Sequence, residues 1–164
     1  MKRIEANDPV AICHVGTMRY HEGDFKTAYE YWTKAADLGD VEAHYQLSTS
    51  YRDGKGVEKD EKRALHHAEQ AAIGGSPHAR HHLGWIDEQL GKMARATKHY
   101  IISAKLGFDE SLKCIRGIYE CGFYVSKEDF AAALRGHQAA IVAAKSPQRD
   151  AAYEFYAERE GRVV

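Results

Sequence analysis

No stretch of this chain approaches the roughly 20 consecutive apolar residues that span a bilayer, so no membrane insertion is expected. The opening residues, MKRIEANDP, hold no apolar run, which predicts no signal peptide. Only three prolines interrupt 164 residues, and proline is the strongest breaker of helices. Cysteine is equally scarce, at Cys13, Cys114 and Cys121. Cys114 and Cys121 stand on one expected helix with a rise of about 10 Å between them, too far for a disulfide. Three free thiols are therefore expected, in an intracellular, cytoplasmic protein. Charge of either sign is also lacking in excess, the net value being −1. That excludes a broad basic surface for nucleic acid.

What is abundant is Ala, Lys, Glu, Leu and Tyr, a composition that favours helix throughout. The pattern is clearest from Ala43 to Gly75: AHYQLSTSY, then RDGKGVEKDEKR, then ALHHAEQAAIGG. Ala43, Leu47 and Tyr51 recur every fourth residue and stack on one helical face. Ala64, Ala68, Ala71 and Ala72 make an alanine stripe suited to close helix contact. Gly54 and Gly56 supply the turn, Asp60 caps the second helix, and Gly74 and Gly75 end it.

The same unit recurs along the chain. First-helix anchors fall at Ala11, Ala43, Ala79 and Ser111, each followed four residues later by Val15, Leu47, Leu83 or Ile115. Second-helix anchors fall at Ala28, Ala64, Ala96 and Ala132, with Ala35, Ala71, Ser103 and Ala139 seven residues on. Asp8-Pro9, Asp40, Ser76-Pro77 and Asp109 mark first-helix starts, and Gly39, Gly75 and Gly107 mark second-helix stops. Ser126 to Asp129 resembles a capping box. Helices are expected at about 9–22, 25–38, 41–53, 60–74, 77–90, 92–106, 109–122 and 127–145. Ser146-Pro147 should then introduce a closing helix at about 148–161, with Ala151, Ala152, Phe155 and Tyr156 on its apolar face. One domain of residues 1–164 is expected, with repeats at about 8–40, 41–76, 77–108 and 109–146.

These residues resemble the Sel-one-like repeat family, relatives of the tetratricopeptide repeat. The pattern is A-x-x-x-L-[GS]-x-x-Y, then G-x-G-V-x-x-D, then K/R-A, then AA-x-x-G. Repeat two carries all of it, as AHYQLSTSY, GKGVEKD, RA and AAIGG. Arg19 and Asp87 depart from it at the tyrosine position, and Arg116 at the small-residue position. The resemblance implies an all-α, right-handed α-α superhelical solenoid of four helix-turn-helix repeats plus a C-terminal capping helix. It also implies a non-enzymatic adaptor or scaffold for a protein or peptide ligand, without cofactor, and a monomer is expected. An alternative is the substrate-recruiting half of a ubiquitin-ligase-like or degradation-complex protein whose zinc domain lies outside this chain.

Stacked hairpins leave their first helices on the inner, concave face. The helical period places there Cys13, His14 and Thr17, then Tyr45, Gln46, Thr49 and Arg52. It adds His78, His81, His82, Trp85 and Glu88, then Lys113, Cys114, Gly117 and Glu120. Aromatic rings, imidazoles and an arginine are enriched in binding hot spots. A ligand segment is therefore expected along this face, anchored by Tyr45 and Trp85 and steered by Arg52; the competing reading is a plain solvated wall. Trp32, among Tyr29, Tyr31 and Ala35, reads as a core aromatic.

Catalytic and metal chemistry find little support. His78 and His82 have zinc-helix spacing, with Cys114 a conceivable third ligand, but HARHH lacks the glutamate of HExxH, and no metal is expected. Cys13 and His14 point about 100° apart and cannot readily share a proton. GKGVEKD lacks the phosphate-loop pattern, and the carboxylates are scattered among Lys and Arg.

Overall fold

The structure is a computed structural model that describes residues 8–159, with side chains for 8–145. Among the described residues there are eight α-helices and no strand. They are α1 Pro9–His21, α2 Phe25–Asp37, α3 Val41–Asp53, α4 Glu61–Ile73, α5 Pro77–Gln89, α6 Met93–Lys105, α7 Asp109–Glu120 and α8 Lys127–Arg159. Residues through His99 form one compact unit and residues from Tyr100 a second, so the boundary falls within α6.

In the first unit, polar caps start the helices. Asp8 accepts from the amides of Val10 and Ala11, Asp24 from Thr27, and Asp40 from Ala43 at 2.7 Å. Asp60 accepts from Lys62 and Arg63, and Ser76 from Ala79. Each satisfies amides that the first helical turn leaves open. The second helices α2 and α4 stop where Gly39 and Gly75 take φ of +87° and +93°. The amides of Asp40 and Ser76 then reach back to the carbonyls of Ala35 and Ala71.

Packing is close because the contact residues are small. Ile12, Cys13, Ala28, Trp32, Ala35, Ala36, Ala43 and Leu47 form one core cluster, with Tyr20, Tyr29 and Tyr31 against it. Ala68, Ala71, Ala72, Ala79 and Leu83 form the next, with Tyr45 against it. Trp32, expected in the core, is 1% exposed. Gly16 makes room for it: a Cβ there would lie 2.6 Å from Trp32 Cδ1. The longer turn of the second hairpin folds back on the first. Gly56, at φ +77°, lets backbone meet the carbonyl of Phe25, where any Cβ would collide. Lys55 lies over the Tyr20 and Phe25 rings at 5.1 and 5.5 Å.

In the second unit, Ser103, Ala104, Ser111, Ile115, Ala133 and His137 are buried. Tyr119 stacks on Phe130 with centroids 4.7 Å apart. Asp109 opens α7 as expected; Phe108 holds the N-cap position without a side-chain bond, and the Asp109 carboxylate accepts from His137 Nε2 at 2.7 Å. Two expectations need correction here. The fourth second-helix register is shifted by one residue. Ala133 is buried and Ala140 lies against Gly107, while Ala132 is half-buried and Ala139 exposed. The turn before α8 holds Gly122 and Tyr124 both at positive φ. Finally, Ser146-Pro147 does not divide the helix; α8 runs unbroken from Lys127 to Arg159. Proline costs about 3 kcal/mol in a helix interior, but Ala143, Ala144, Ala151 and Ala152 are the strongest helix formers and carry the backbone through. The apolar face expected of Ala151, Ala152, Phe155 and Tyr156 concerns side chains outside the described ones.

Candidate functional site

The first helices α3 and α5 stand side by side, and their outward side chains meet. The Tyr45 and His78 rings are 5.5 Å apart between centroids. Arg52 Nη1 points at His82 Nε2 at 3.4 Å, and His82 stacks on Trp85 at 6.1 Å with 17° between planes. The arginine is oriented from the other side by Asp53, whose Oδ1 accepts from Nε at 2.8 Å. Tyr45 is rooted in the alanine core beneath it, whereas Trp85 is 49% exposed. The result is a row of rings with one guanidinium among them, spanning two helices.

Electrostatics fix the protonation of this row. Burial, followed by the charge of Arg52, pushes His82 down from 6.5 to about 4. At neutral pH it is an uncharged acceptor for the arginine. Burial raises the Tyr45 phenol above its usual range, so it stays protonated.

The other expected face residues divide. Gln46 donates to Glu42 at 2.7 Å, and the Thr49 hydroxyl donates to the carbonyl of Gln46 at 2.8 Å. His81 and Glu88 are half-buried on α5. His14 is exposed on α1, and the Thr17 hydroxyl returns to the carbonyl of Cys13. Lys113 lies on α7 in the second unit, exposed and 3.9 Å from Glu110; Cys114 is half-buried there, and Gly117 and Glu120 are exposed.

Cys13 was expected on the open face but is 5% exposed and belongs to the first core cluster. In α1 the inward residues are Ile12, Cys13 and Gly16. Burial foremost, with Asp40 nearby, pushes its thiol far upward, so it cannot serve as a thiolate. Among the described residues, no three of His, Cys, Asp and Glu come together to hold a metal ion. No described helix is long and apolar enough to cross a membrane.

One residue of chemical interest was read from sequence only as a departure. Asp87, at the tyrosine position of the third repeat, is 5% exposed. Its Oδ2 lies 3.3 Å from Arg95 Nε and 3.7 Å from His99 Nε2. A carboxylate where the repeat calls for a ring was the available signal.

Paired helices joined by short turns, with small residues at each contact, define an all-helical repeat protein. The Sel1 repeat family model matches residues 9–40 and 41–76, and the similar solved structures are SLR-fold proteins, which supports the Sel1-like repeat family. A Sel1 repeat protein from Oxalobacter formigenes is similar in structure, with TM-score 0.67, 30% identity, and coverage of 85% of this chain and 60% of that one. A protective antigen of uropathogenic Escherichia coli displaying an SLR fold has TM-score 0.66 and 26% identity, over 87% of this chain and 32% of its own. Chitin synthase regulatory factor 4 of Schizosaccharomyces pombe is 32% identical over 84 residues, which is 51% of this chain and 13% of that protein. Sel1 repeats generally mediate protein–protein interaction and are typically non-catalytic.

Proposed function

We propose that this chain is a non-enzymatic protein-interaction module that binds an extended segment of a partner across the α3 and α5 face. The observation that carries this reading is the pair of contacts Tyr45–His78 and Arg52–His82–Trp85, built by two neighbouring first helices. A half-exposed indole, a rooted phenol and an oriented guanidinium are the side-chain types that dominate binding energy. Their rigid setting on helices lowers the ordering cost of association. The Cys13 thiol is sealed in the core.

The test compares the native chain with the Tyr45→Ala/Arg52→Ala/Trp85→Ala variant in quantitative partner capture, followed by titration of the recovered partner. All three side chains are at least partly exposed, so circular dichroism should be unchanged. Affinity should fall at least about 100-fold, since hot-spot truncations cost roughly 2–4 kcal/mol each. Identical capture by both proteins would remove this face from consideration.

A further inference from the structure

The repeat register places Tyr29 and Tyr51 in the positions of Leu65 and Asp87, and Arg63 and His67 in those of Arg95 and His99. Between α2, α3 and α4 these residues form a plug. The Tyr29 and Tyr51 hydroxyls share a hydrogen bond at 2.7 Å, with rings edge to face at 5.7 Å. Arg63 lies over the Tyr51 ring at 5.6 Å and donates to its oxygen at 3.3 Å, and His67 stacks on the same ring at 5.6 Å. One repeat later the arginine and histidine remain, but both phenols are gone.

What remains is a groove of about 440 Å³ between α4, α5 and α6. Leu65, Ile73, Ile86 and Leu90 form its apolar walls, and buried Asp87 is part of its lining. Two nitrogens there are buried without a hydrogen-bond partner, Arg80 Nε and His99 Nδ1. The groove opens on the side of α5 away from Trp85, so it is independent of the face discussed above.

We propose that this groove docks the side chain of a tyrosine presented by a protein partner. The phenol hydroxyl donates to the Asp87 carboxylate, the ring lies against the Arg95 guanidinium, and the aliphatic walls cover its edges. The protein displays the ring contact internally, since Arg63 already lies over a phenol ring and His67 stacks on it. The complementarity also sets a limit on the ligand. A phosphorylated tyrosine would bring two negative charges toward Asp87, and a phenylalanine would leave that buried carboxylate without the donor.

The experiment titrates the full chain with N-acetyl-tyrosinamide, N-acetyl-phenylalaninamide and the O-phospho form of the tyrosine probe, followed by amide NMR shifts. The tyrosine probe should shift amides of Leu65–Ile73 and Ile86–His99 saturably. The phenylalanine probe should bind about tenfold more weakly, the expected loss of a hydrogen bond to a charged group. The phospho probe should leave these amides unmoved. Leu65→Tyr/Asp87→Tyr rebuilds the plug and should abolish the shifts with far-ultraviolet circular dichroism retained. Asp87→Leu, which decides the matter if the double variant fails to fold, should bring the tyrosine and phenylalanine probes within about twofold of each other. Tyrosine shifts confined to other helices, equal phenylalanine binding to the native chain, tighter phospho binding, or an unaltered tyrosine preference in Asp87→Leu would each overturn the proposal.

Discussion

Gly16 shows how much one missing methyl group can decide. Its Cα faces the Trp32 indole, and a Cβ would sit 2.6 Å from Cδ1 and 2.7 Å from Nε1. Trp32 is enclosed on its other sides by the first core cluster, so the ring has little room to retreat. Gly16→Ala should therefore cost about 1–3 kcal/mol by overpacking, although alanine is the better helix former by about 1 kcal/mol. Urea denaturation reads the balance; a gain in stability would mean that the indole moves freely. Asp87 teaches the reverse lesson. Its identity was plain in the sequence, but its burial and its neighbours Arg95 and His99 arise only when α5 and α6 pair.

At the scale of the helix, the ends were the most legible feature. Asp8, Asp40, Asp60 and Ser76 cap the helices expected of them because an N-cap acts through the next two or three residues alone. Asp60→Ala should lower stability by about 1 kcal/mol, with Asp60→Asn close to native, as measured by chemical denaturation. Equal loss in both variants would assign the effect to the Arg63 ion pair at 3.5 Å instead. Asp109 opens α7 as expected, but the use of its carboxylate, bonded to a buried histidine from α8, depends on a contact 28 residues away in sequence. The same remoteness explains the slipped register of α8. Counting residues through the turn between Cys121 and Ser126 assumes the path of the second hairpin's turn, whereas this turn is shorter and holds Gly122 and Tyr124 at positive φ.

At the scale of the molecule, histidines make the first unit sensitive to acid. His67 is driven to about 4, by burial first and by His44 and His66 next, and His82 to about 4 by burial and Arg52. His44 and His99 are lowered as well, chiefly by burial. A histidine whose folded value lies below its unfolded 6.5 binds fewer protons when folded. Its contribution is complete above about pH 6.5 and is lost as pH falls toward 4. Melting temperature should therefore be steady between pH 7 and 8 and drop progressively from about 6.5 to 4. Replacing His67 by Gln should flatten that slope; an unchanged slope would place the proton uptake elsewhere.

The sequence by itself determined the helices, their caps, their pairing into hairpins and the small residues at each contact. These follow from the helical period and from interactions within a few residues, which a linear string contains in full. It also named Tyr45, Arg52, His78, His82 and Trp85 as residues of one face. Only the tertiary structure decided which of them touch, that Cys13 turns inward, and that Asp87 is buried beside a groove. Those outcomes depend on how one hairpin seats against the next, where a rotation of one helix by a single residue exchanges core for surface.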